Sequence, residues 1–209
     1  MAYLSGEKLK QNKAGFTLIE MITSISLIVI ITTIFIANYN TGNKRTDLIM
    51  TAQKLVADIH AAQNNALGLV KYGEEVPAGG WGLSFSIATP KKYTLFADLN
   101  RPESTELGQA HQADPGYMEY DPSTEGLINQ GARVVDLPKG IEIIGISTSD
   151  SSQTVYSSAQ VSFLPPDPKT NIYNNYSTSS VLRVTLREAS TGKTKIIRVN
   201  FLGLVEVIN

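Results

Sequence analysis

The sequence contains no cysteine and only two histidines, and these shortages exclude several kinds of chemistry. Without cysteine the chain can form neither a disulfide scaffold nor a thiolate metal site. The two histidines, His60 and His111, are far apart in the sequence, and no carboxylate spacing completes a transition-metal site around them. We therefore expect no histidine-based metal or catalytic centre.

Common enzyme motifs and an excess of basic charge are also missing. No serine stands in a Gly-x-Ser-x-Gly turn, and no glycine-rich phosphate loop follows a strand and opens a helix. The formal net charge is −1, so bulk charge does not attract nucleic acid. The sequence thus predicts a protein that is not an enzyme and that does not have nucleic acid as a main partner.

What the sequence does have is one long apolar run, residues 16–37, in which Glu20 is the single charged residue. A helix that crosses ~30 Å of hydrocarbon at 1.5 Å per residue needs roughly 20 apolar residues, and this run meets that length. The alternative is a buried helix of a soluble protein, which would normally show a polar face. The run shows only scattered threonine and serine, so we expect a transmembrane helix.

The charges around this run indicate its orientation. Residues 1–15 carry three lysines and one glutamate without an apolar core, so they do not form a complete secretory signal. Their positive charge favours a cytoplasmic N-terminus with the rest of the chain outside. Glu20 is costly within lipid, by roughly 2.5–3.5 kcal/mol at a helix centre and less near an interface. It requires either an amine on a neighbouring subunit or access to the headgroups.

Residues 13–20, Lys-Ala-Gly-Phe-Thr-Leu-Ile-Glu, together with the apolar run resemble the N-terminal cleavage and methylation motif of type IV prepilins and type II secretion pseudopilins. The resemblance implies that a membrane-bound prepilin peptidase cuts after Gly15 and methylates the new amine of Phe16. It also implies that Glu20 guides filament assembly by pairing with the terminal amine of another subunit. Met21, where the family most often has leucine, is a similar apolar side chain.

A helical pattern continues beyond the apolar run. Apolar residues recur at steps of three and four, as on an amphipathic helix: Leu48, Ala52, Leu55, Val56, Ile59, Ala62, Ala66 and Val70. We expect one helix from Phe16 to about Val70, with a kink or a locally melted turn at Gly42. The glycines and the proline of residues 71–80 end it.

The rest of the chain predicts short strands, from alternating apolar residues bounded by turn residues. These strands are residues 81–87, 93–98, 133–137, 141–146 and 161–164, followed by 181–186 and the stretch 196–207. The first two form a hairpin, the next two pair around residues 138–140, and the last two flank a turn at 190–193. Long loops are expected at 101–131 and 147–158.

These elements define an α+β fold class, and the resemblance implies that they are arranged as in a pilin. A long N-terminal helix, transmembrane in its first half and amphipathic in its second, packs on a C-terminal antiparallel β-sheet domain. The domain organisation is a leader at 1–15, a transmembrane and assembly helix at 16–37, an amphipathic helix at 38–72, and an extracytoplasmic β-rich domain at 73–209.

The body resembles H-type minor pseudopilins and FimT-type minor pilins through looser patterns. These patterns are residues 61–66, Gly80-Trp81-Gly82, residues 93–98, Phe163-Leu164-Pro165 and residues 198–203. The resemblance implies a structural minor subunit of a type IV pilus or type II secretion-like filament. One alternative is a DNA-binding or adhesive minor pilin at a filament tip. Another is an unrelated single-pass membrane protein with a β-rich domain outside the membrane.

Two further groups of residues are candidate ligand contacts. Asp98 and Asn100 begin an oxygen-rich stretch that could hold calcium, and some major pseudopilins use loop calcium. The spacing matches no defined calcium loop, and a solvated acidic loop is the alternative. Basic residues of the last predicted hairpin could contact DNA phosphates, or could be ordinary outward-facing strand residues: Arg183, Arg187, Lys193, Lys195 and Arg198. No other cofactor is expected.

The expected partners and location follow from the resemblance. The partners are a prepilin peptidase, other pilin or pseudopilin subunits, an inner-membrane assembly platform and the lipid bilayer. The expected location is the bacterial cytoplasmic membrane, which the precursor crosses once with its N-terminus in the cytoplasm. After cleavage the subunit would enter a pilus or pseudopilus outside the membrane.

Overall fold

The computed structural model describes residues 15–99, 104–106, 109–111, 132–148, 155–165, 169–174 and 178–208. The chain forms two compact units, Met1–Gly42 and Asn43–Asn209. Of the predicted leader, only Gly15 is among the described residues; residues 1–14 lie outside them.

One helix, α1, runs from Leu18 to Leu67. It includes Gly42, so the predicted locally melted turn is wrong. A single glycine costs about 1 kcal/mol relative to alanine in a helix interior, and that cost is too small to interrupt a helix of 50 residues.

The helix ends three residues earlier than predicted, in a Schellman arrangement. Leu69 adopts a left-handed backbone with a φ of 50°. Its N–H donates to the carbonyl of Ala66 at 3.2 Å, and the N–H of Val70 donates to the carbonyl of Asn65 at 2.9 Å. The predicted place of Val70 on the apolar face is therefore wrong, since its side chain is exposed after the turn.

Twelve strands follow in the described part of the chain. They are β1 (Gly80–Ser86), β2 (Lys92–Asp98), β3 (Ser104–Glu106), β4 (Gln109–His111), β5 (Ala132–Asp136), β6 (Ile141–Ser147), β7 (Ser158–Leu164), β8 (Lys169–Tyr173), β9 (Thr178–Ser179), β10 (Val181–Glu188), β11 (Thr194–Asn200) and β12 (Val205–Ile208). All their pairings are antiparallel.

A six-stranded sheet has the order β5-β2-β1-β7-β8-β9. Its β1–β2 hairpin was predicted and is confirmed, with Leu83 opposite Leu95. Strands β8 and β9 were not predicted. The sequence of β8, Lys-Thr-Asn-Ile-Tyr, lacks an alternating apolar pattern, and only Ile172 within it is buried.

A four-stranded sheet has the order β12-β11-β10-β6. The predicted pairing of residues 133–137 with 141–146 is wrong, because β5 pairs with β2 and β6 pairs with β10. The turn at Gly140, with a φ of 90°, carries the chain from one sheet to the other. The stretch 196–207 forms two strands, β11 and β12, which reverse direction at Gly203 with a φ of 78°.

The hydrophobic core lies between the second half of α1 and both sheets. The predicted apolar face supplies six fully buried residues of the helix: Leu48, Ala52, Leu55, Ile59, Ala62 and Ala66. They pack in one cluster with residues from both sheets, such as Phe85 and Val184. Phe96, which the alternation put on the opposite face of β2 from Leu95, is also fully buried. The architecture confirms the α+β pilin-like fold class.

The long predicted loop at 101–131 contains a short hairpin. Strands β3 and β4 pair with Ser104 opposite His111, so His111 lies on a strand and its predicted loop position is wrong. The rest of this predicted loop lies outside the described residues, as does half of the second predicted loop, residues 149–154; the ends of that loop, Ser147 and Ser158, lie on β6 and β7.

Candidate functional site

The start of α1 is held by a reciprocal pair of side chains, Thr17 and Glu20. The Glu20 carboxylate oxygen Oε2 accepts hydrogen bonds from the Thr17 backbone N–H at 2.8 Å and from the Thr17 hydroxyl at 2.9 Å. In return the Glu20 backbone N–H donates to the Thr17 hydroxyl oxygen at 3.3 Å. This is a capping box, in which Thr17 is the N-cap and Glu20 the third helical residue.

The capping box explains what a glutamate can do at this position. It satisfies backbone N–H groups that have no partner within the helix, and it brings negative charge to the positive end of the helix dipole. Sequence reasoning missed Thr17, although the Thr-x-x-Glu spacing was a sufficient signal. The other carboxylate oxygen, Oε1, makes no hydrogen bond in the described part of the chain, so it can accept one from another molecule.

The predicted cleavage junction immediately precedes this cap. Gly15 and Phe16 are both exposed, and Phe16 has 86% of its surface accessible. An atom placed at the Cβ position of Gly15 would find open space within 4 Å. The peptide bond between Gly15 and Phe16 is thus unobstructed by the described residues.

The apolar part of the helix is uncovered. Residues Leu18–Ile36 have a mean hydropathy of 2.3, and none is buried, so the segment is long and apolar enough to cross a membrane. Four of its hydroxyls donate back to the helix, among them Thr32 to the carbonyl of Ile28 at 2.7 Å and Thr33 to that of Val29 at 2.8 Å. Because these polar groups are satisfied within the segment, they do not oppose transfer into lipid.

The candidate calcium residues are only partly described. Asp98 is fully buried at the end of β2, and its backbone carbonyl accepts a hydrogen bond from Gly79 at 3.0 Å. Asn100 lies outside the described residues. Within the described part of the chain, no group of three or more His, Cys, Asp or Glu residues could hold a metal ion. Calcium binding stays a prediction.

The five basic candidates lie on or beside the β10–β11 hairpin, but on both faces of it. Arg183 is opposite Arg198, and Arg187 lies on the same face four residues further along β10. Lys195 is instead opposite the buried Leu186, and Lys193 precedes β11 in the turn. Alternation along β11 already places Lys195 and Arg198, three residues apart, on opposite faces. The sequence did not give the register of the hairpin, which shows that Arg198 shares its face with Arg183.

Two of the arginines have acidic neighbours. Arg187 forms an ion pair with Glu142 on β6, and Arg198 forms one with Glu206 on β12 at 3.5 Å. These carboxylates reduce the positive charge that the face of Arg183 offers to phosphates. DNA contact by these residues stays a prediction.

The histidine on the helix has a local partner. His60 is exposed, and its Nδ1 lies 2.7 Å from Oε1 of Gln63. Gln63 in turn donates from Nε2 to the carbonyl of Gly203, which ties the β11–β12 turn to α1. The two hydrogen bonds of Gln63, to His60 and to Gly203, give these side chains a structural role in the domain.

Comparison with known proteins adds a family match at the start of the helix. Residues 10–36 match the prokaryotic N-terminal methylation motif. No curated protein and no solved structure matches the chain. The motif, together with the apolar helix that follows it, supports a type IV pilin-like or pseudopilin protein with a single membrane-anchoring helix.

Proposed function

We propose that the chain is a minor pilin or pseudopilin, a structural subunit of a type IV pilus or type II secretion-like filament. A prepilin peptidase cleaves it after Gly15 and methylates the new amine of Phe16. The apolar helix then leaves the membrane to pack with the helices of other subunits on an inner-membrane assembly platform.

The observation that carries this proposal is the methylation motif at residues 10–36, placed at the capped start of an uncovered apolar helix. A helix without a polar face must be surrounded by lipid or by other helices. No described residue of the chain covers this helix, since none of Leu18–Ile36 is buried, so its surroundings must come from lipid or from other subunits. A subunit that moves from lipid into a filament satisfies this requirement in both states.

The carboxylate of Glu20 has the chemistry to direct this transfer. Its Oε2 is engaged by Thr17, while Oε1 is open to a donor from a neighbouring subunit. The amine exposed by cleavage before Phe16 is such a donor, and it carries a positive charge. In hydrocarbon, an unpaired carboxylate is costly, so pairing with an amine favours the assembled state over the separate subunit.

The proposal is tested by two substitutions at one position. Glu20→Ala removes both the capping interaction and the charge, whereas Glu20→Gln keeps an oxygen for the Thr17 N–H and removes only the charge. In cells that carry the assembly machinery, we expect both variants to be cleaved after Gly15 and neither to enter filaments. Cleavage is read by intact mass and assembly by recovery of the protein in sheared surface fractions.

Thr17→Ala is the matched control. It removes the hydroxyl of the capping box and leaves the carboxylate in place, so we expect assembly to persist. Normal assembly of Glu20→Gln would show that the charge is dispensable and that Glu20 serves as a helix cap, which would contradict the proposed role.

A further inference from the structure

Three basic side chains line one pocket within the unit Asn43–Asn209. Arg45 contributes from α1, and Lys193 and Lys195 contribute from the β10–β11 turn and the start of β11. Leu48 and Ile49 of α1 form part of its wall, and the pocket has a volume of about 240 Å³. Cations from two elements therefore face one space.

No carboxylate of the described residues lines this pocket. Asp47 and Glu188 are the acidic residues closest in the sequence to its cations, and neither belongs to its wall. The Glu188 carboxylate accepts its hydrogen bonds from within its own turn. Arg45 and Lys193 form no ion pair with another described residue. The pocket is thus suited to an acidic group from outside the unit.

The two turns that flank β11 lie at opposite ends of this unit. The β10–β11 turn shares the pocket with Ile49 of α1. The β11–β12 turn is instead tied to Gln63 of α1, whose side chain donates to the carbonyl of Gly203. The rise of 1.5 Å per residue from Ile49 to Gln63 corresponds to about 21 Å along the helix. The basic pocket therefore lies at one end of the unit, and Gln63 lies near the other.

The chain between β2 and β5 is attached at the Gln63 end. The ring of Phe163 lies 3.6 Å from the Cβ position of Gly203, and the carbonyl of Phe163 adjoins the Cβ position of Gly80. Asp98 is opposite Gly80, and Ala132 begins β5 beside the last residues of β2. Both ends of the intervening segment, residues 99–131, are therefore joined to the unit far from the basic pocket.

This segment has a strongly acidic sequence. Residues 102–131 contain six carboxylates and neither lysine nor arginine. The carboxylates are those of Glu103, Glu106, Asp114, Glu119, Asp121 and Glu125. Exposed charges are screened over about 8 Å at physiological ionic strength, so the two ends of one unit do not neutralise each other across about 21 Å. Charge complementarity therefore favours a contact between the acidic end of one copy and the basic end of another.

We propose that the pocket of Arg45, Lys193 and Lys195 binds the acidic segment, residues 102–131, of a second copy of the chain. The contact joins opposite ends of two identical units, so it is heterologous and can repeat in an open series. This inference goes beyond the proposed function, since it concerns the unit Asn43–Asn209 and depends neither on cleavage after Gly15 nor on Glu20.

The test is carbodiimide cross-linking of the detergent-solubilised full chain, because this reagent couples a lysine directly to a carboxylate that touches it. Unlabelled and isotope-labelled chains are mixed in equal amounts, so that mass spectrometry separates links between copies from links within one copy. We expect links from Lys193 or Lys195 to residues 102–131 that join one labelled and one unlabelled peptide. Their yield should fall as salt is added, since salt screens exposed charges.

Charge reversal tests both sides of the contact. Arg45→Glu with Lys193→Glu makes the pocket acidic, and Glu119→Lys with Asp121→Lys adds cations to the segment. Each pair alone should lower the yield of pocket-to-segment links between copies about threefold or more, because like charges oppose the contact. An equimolar mixture of the two variants should restore the yield, because a reversed segment then meets a reversed pocket.

Lys91→Glu with Lys139→Glu is the matched control, since it reverses two exposed cations that do not line the pocket. Lys139 lies near the same turn, because the carbonyl of the next residue, Gly140, accepts a hydrogen bond from the N–H of Ala189 at 2.8 Å. We expect this pair to keep the yield within about twofold of that of the unsubstituted chain, as charges outside a contact contribute little.

Three results would overturn the proposal. One is links that join only peptides of the same isotope, which would place the acidic segment on its own unit. The second is an equal loss in the pocket pair and in the control pair, and the third is a mixture of the reversed variants that does not recover. Because the uncleaved chain is used, a failure of cleavage or of filament entry is a separate result.

Discussion

Thr17 and Glu20 show how a residue pair can serve both folding and assembly. The capping box stabilises the first turn of α1 with three hydrogen bonds between the two residues. It also fixes the carboxylate beside the peptide bond that is proposed to be cut. A free carboxylate side chain would sample several rotamers, so the cap reduces the entropy cost of presenting it to a partner.

Glu188 is a second glutamate whose carboxylate is held by local hydrogen bonds. The Thr191 side chain, then Ser190 and the backbone N–H groups of both, donate to it and lower its pKa from 4.5 to about 2. A group with a depressed pKa in the folded state stabilises the protein above its unfolded pKa and loses this effect as the pH falls toward the folded value.

We therefore predict that Glu188→Gln destabilises the domain at neutral pH and that the difference from the unsubstituted chain shrinks between about pH 4.5 and pH 2. The measurement is the free energy of unfolding by denaturant, for the full chain in detergent, across this pH range. Glu74→Gln, at an exposed glutamate, is the control and should change little. A Glu188→Gln difference that stays constant down to pH 2 would contradict the prediction.

At the level of the elements, Gly82 explains how three strands of the larger sheet fit together. It lies in β1 between Phe96 of β2 and Ser162 of β7 in the register. A Cβ at this position would lie 2.5 Å from the Phe96 ring and 2.5 Å from the carbonyl oxygen of Val161. The second contact is with backbone, which cannot move away without disturbing the ladder.

We predict that Gly82→Ala lowers the free energy of unfolding by about 1–3 kcal/mol, because the added methyl group overpacks the sheet. Gly145→Ala is the control from strand β6, where the nearest atoms would lie at an ordinary contact distance of 3.6 Å. That change should be neutral or slightly stabilising. Thermal and denaturant unfolding of the two variants provide the comparison, and equal stabilities would contradict the proposed packing.

The helices and strands differ in how well local sequence patterns predict them. The apolar face of α1 and the β1–β2 hairpin follow from local periodicity, and the structure confirms both. The partners of β5 and β6 depend on contacts far away in the sequence, since each pairs with a strand beyond its neighbour. Local patterns carry no information about such pairings. Strands β8 and β9 were missed because neighbouring strands, not their own composition, hold them in the sheet.

The candidate sites divide in the same way. Gly15, Phe16 and Glu20 stand in a contiguous motif that the sequence displays directly. Arg187, one of the candidate basic residues, is instead joined to Glu142 across 45 positions of sequence, and only the pairing of β10 with β6 brings the two together. Contiguous motifs can be predicted from a single sequence, whereas sites assembled by folding cannot.

At the scale of the whole molecule, the chain combines two units that need different surroundings. The unit Asn43–Asn209 has its own hydrophobic core, formed by α1 and both sheets. The unit Met1–Gly42 contains the uncovered apolar segment and the motif that matches at residues 10–36. The unit Asn43–Asn209 is suited to water, whereas the unit Met1–Gly42 is suited to lipid or to a bundle of like helices.

The most direct test of this account is the intact mass of the full chain produced in membranes with and without a prepilin peptidase. With the peptidase, we predict the mass of residues 16–209 carrying one added methyl group on Phe16. Without it, the chain should keep its leader. A chain that still begins at Met1 beside an active peptidase would contradict the account.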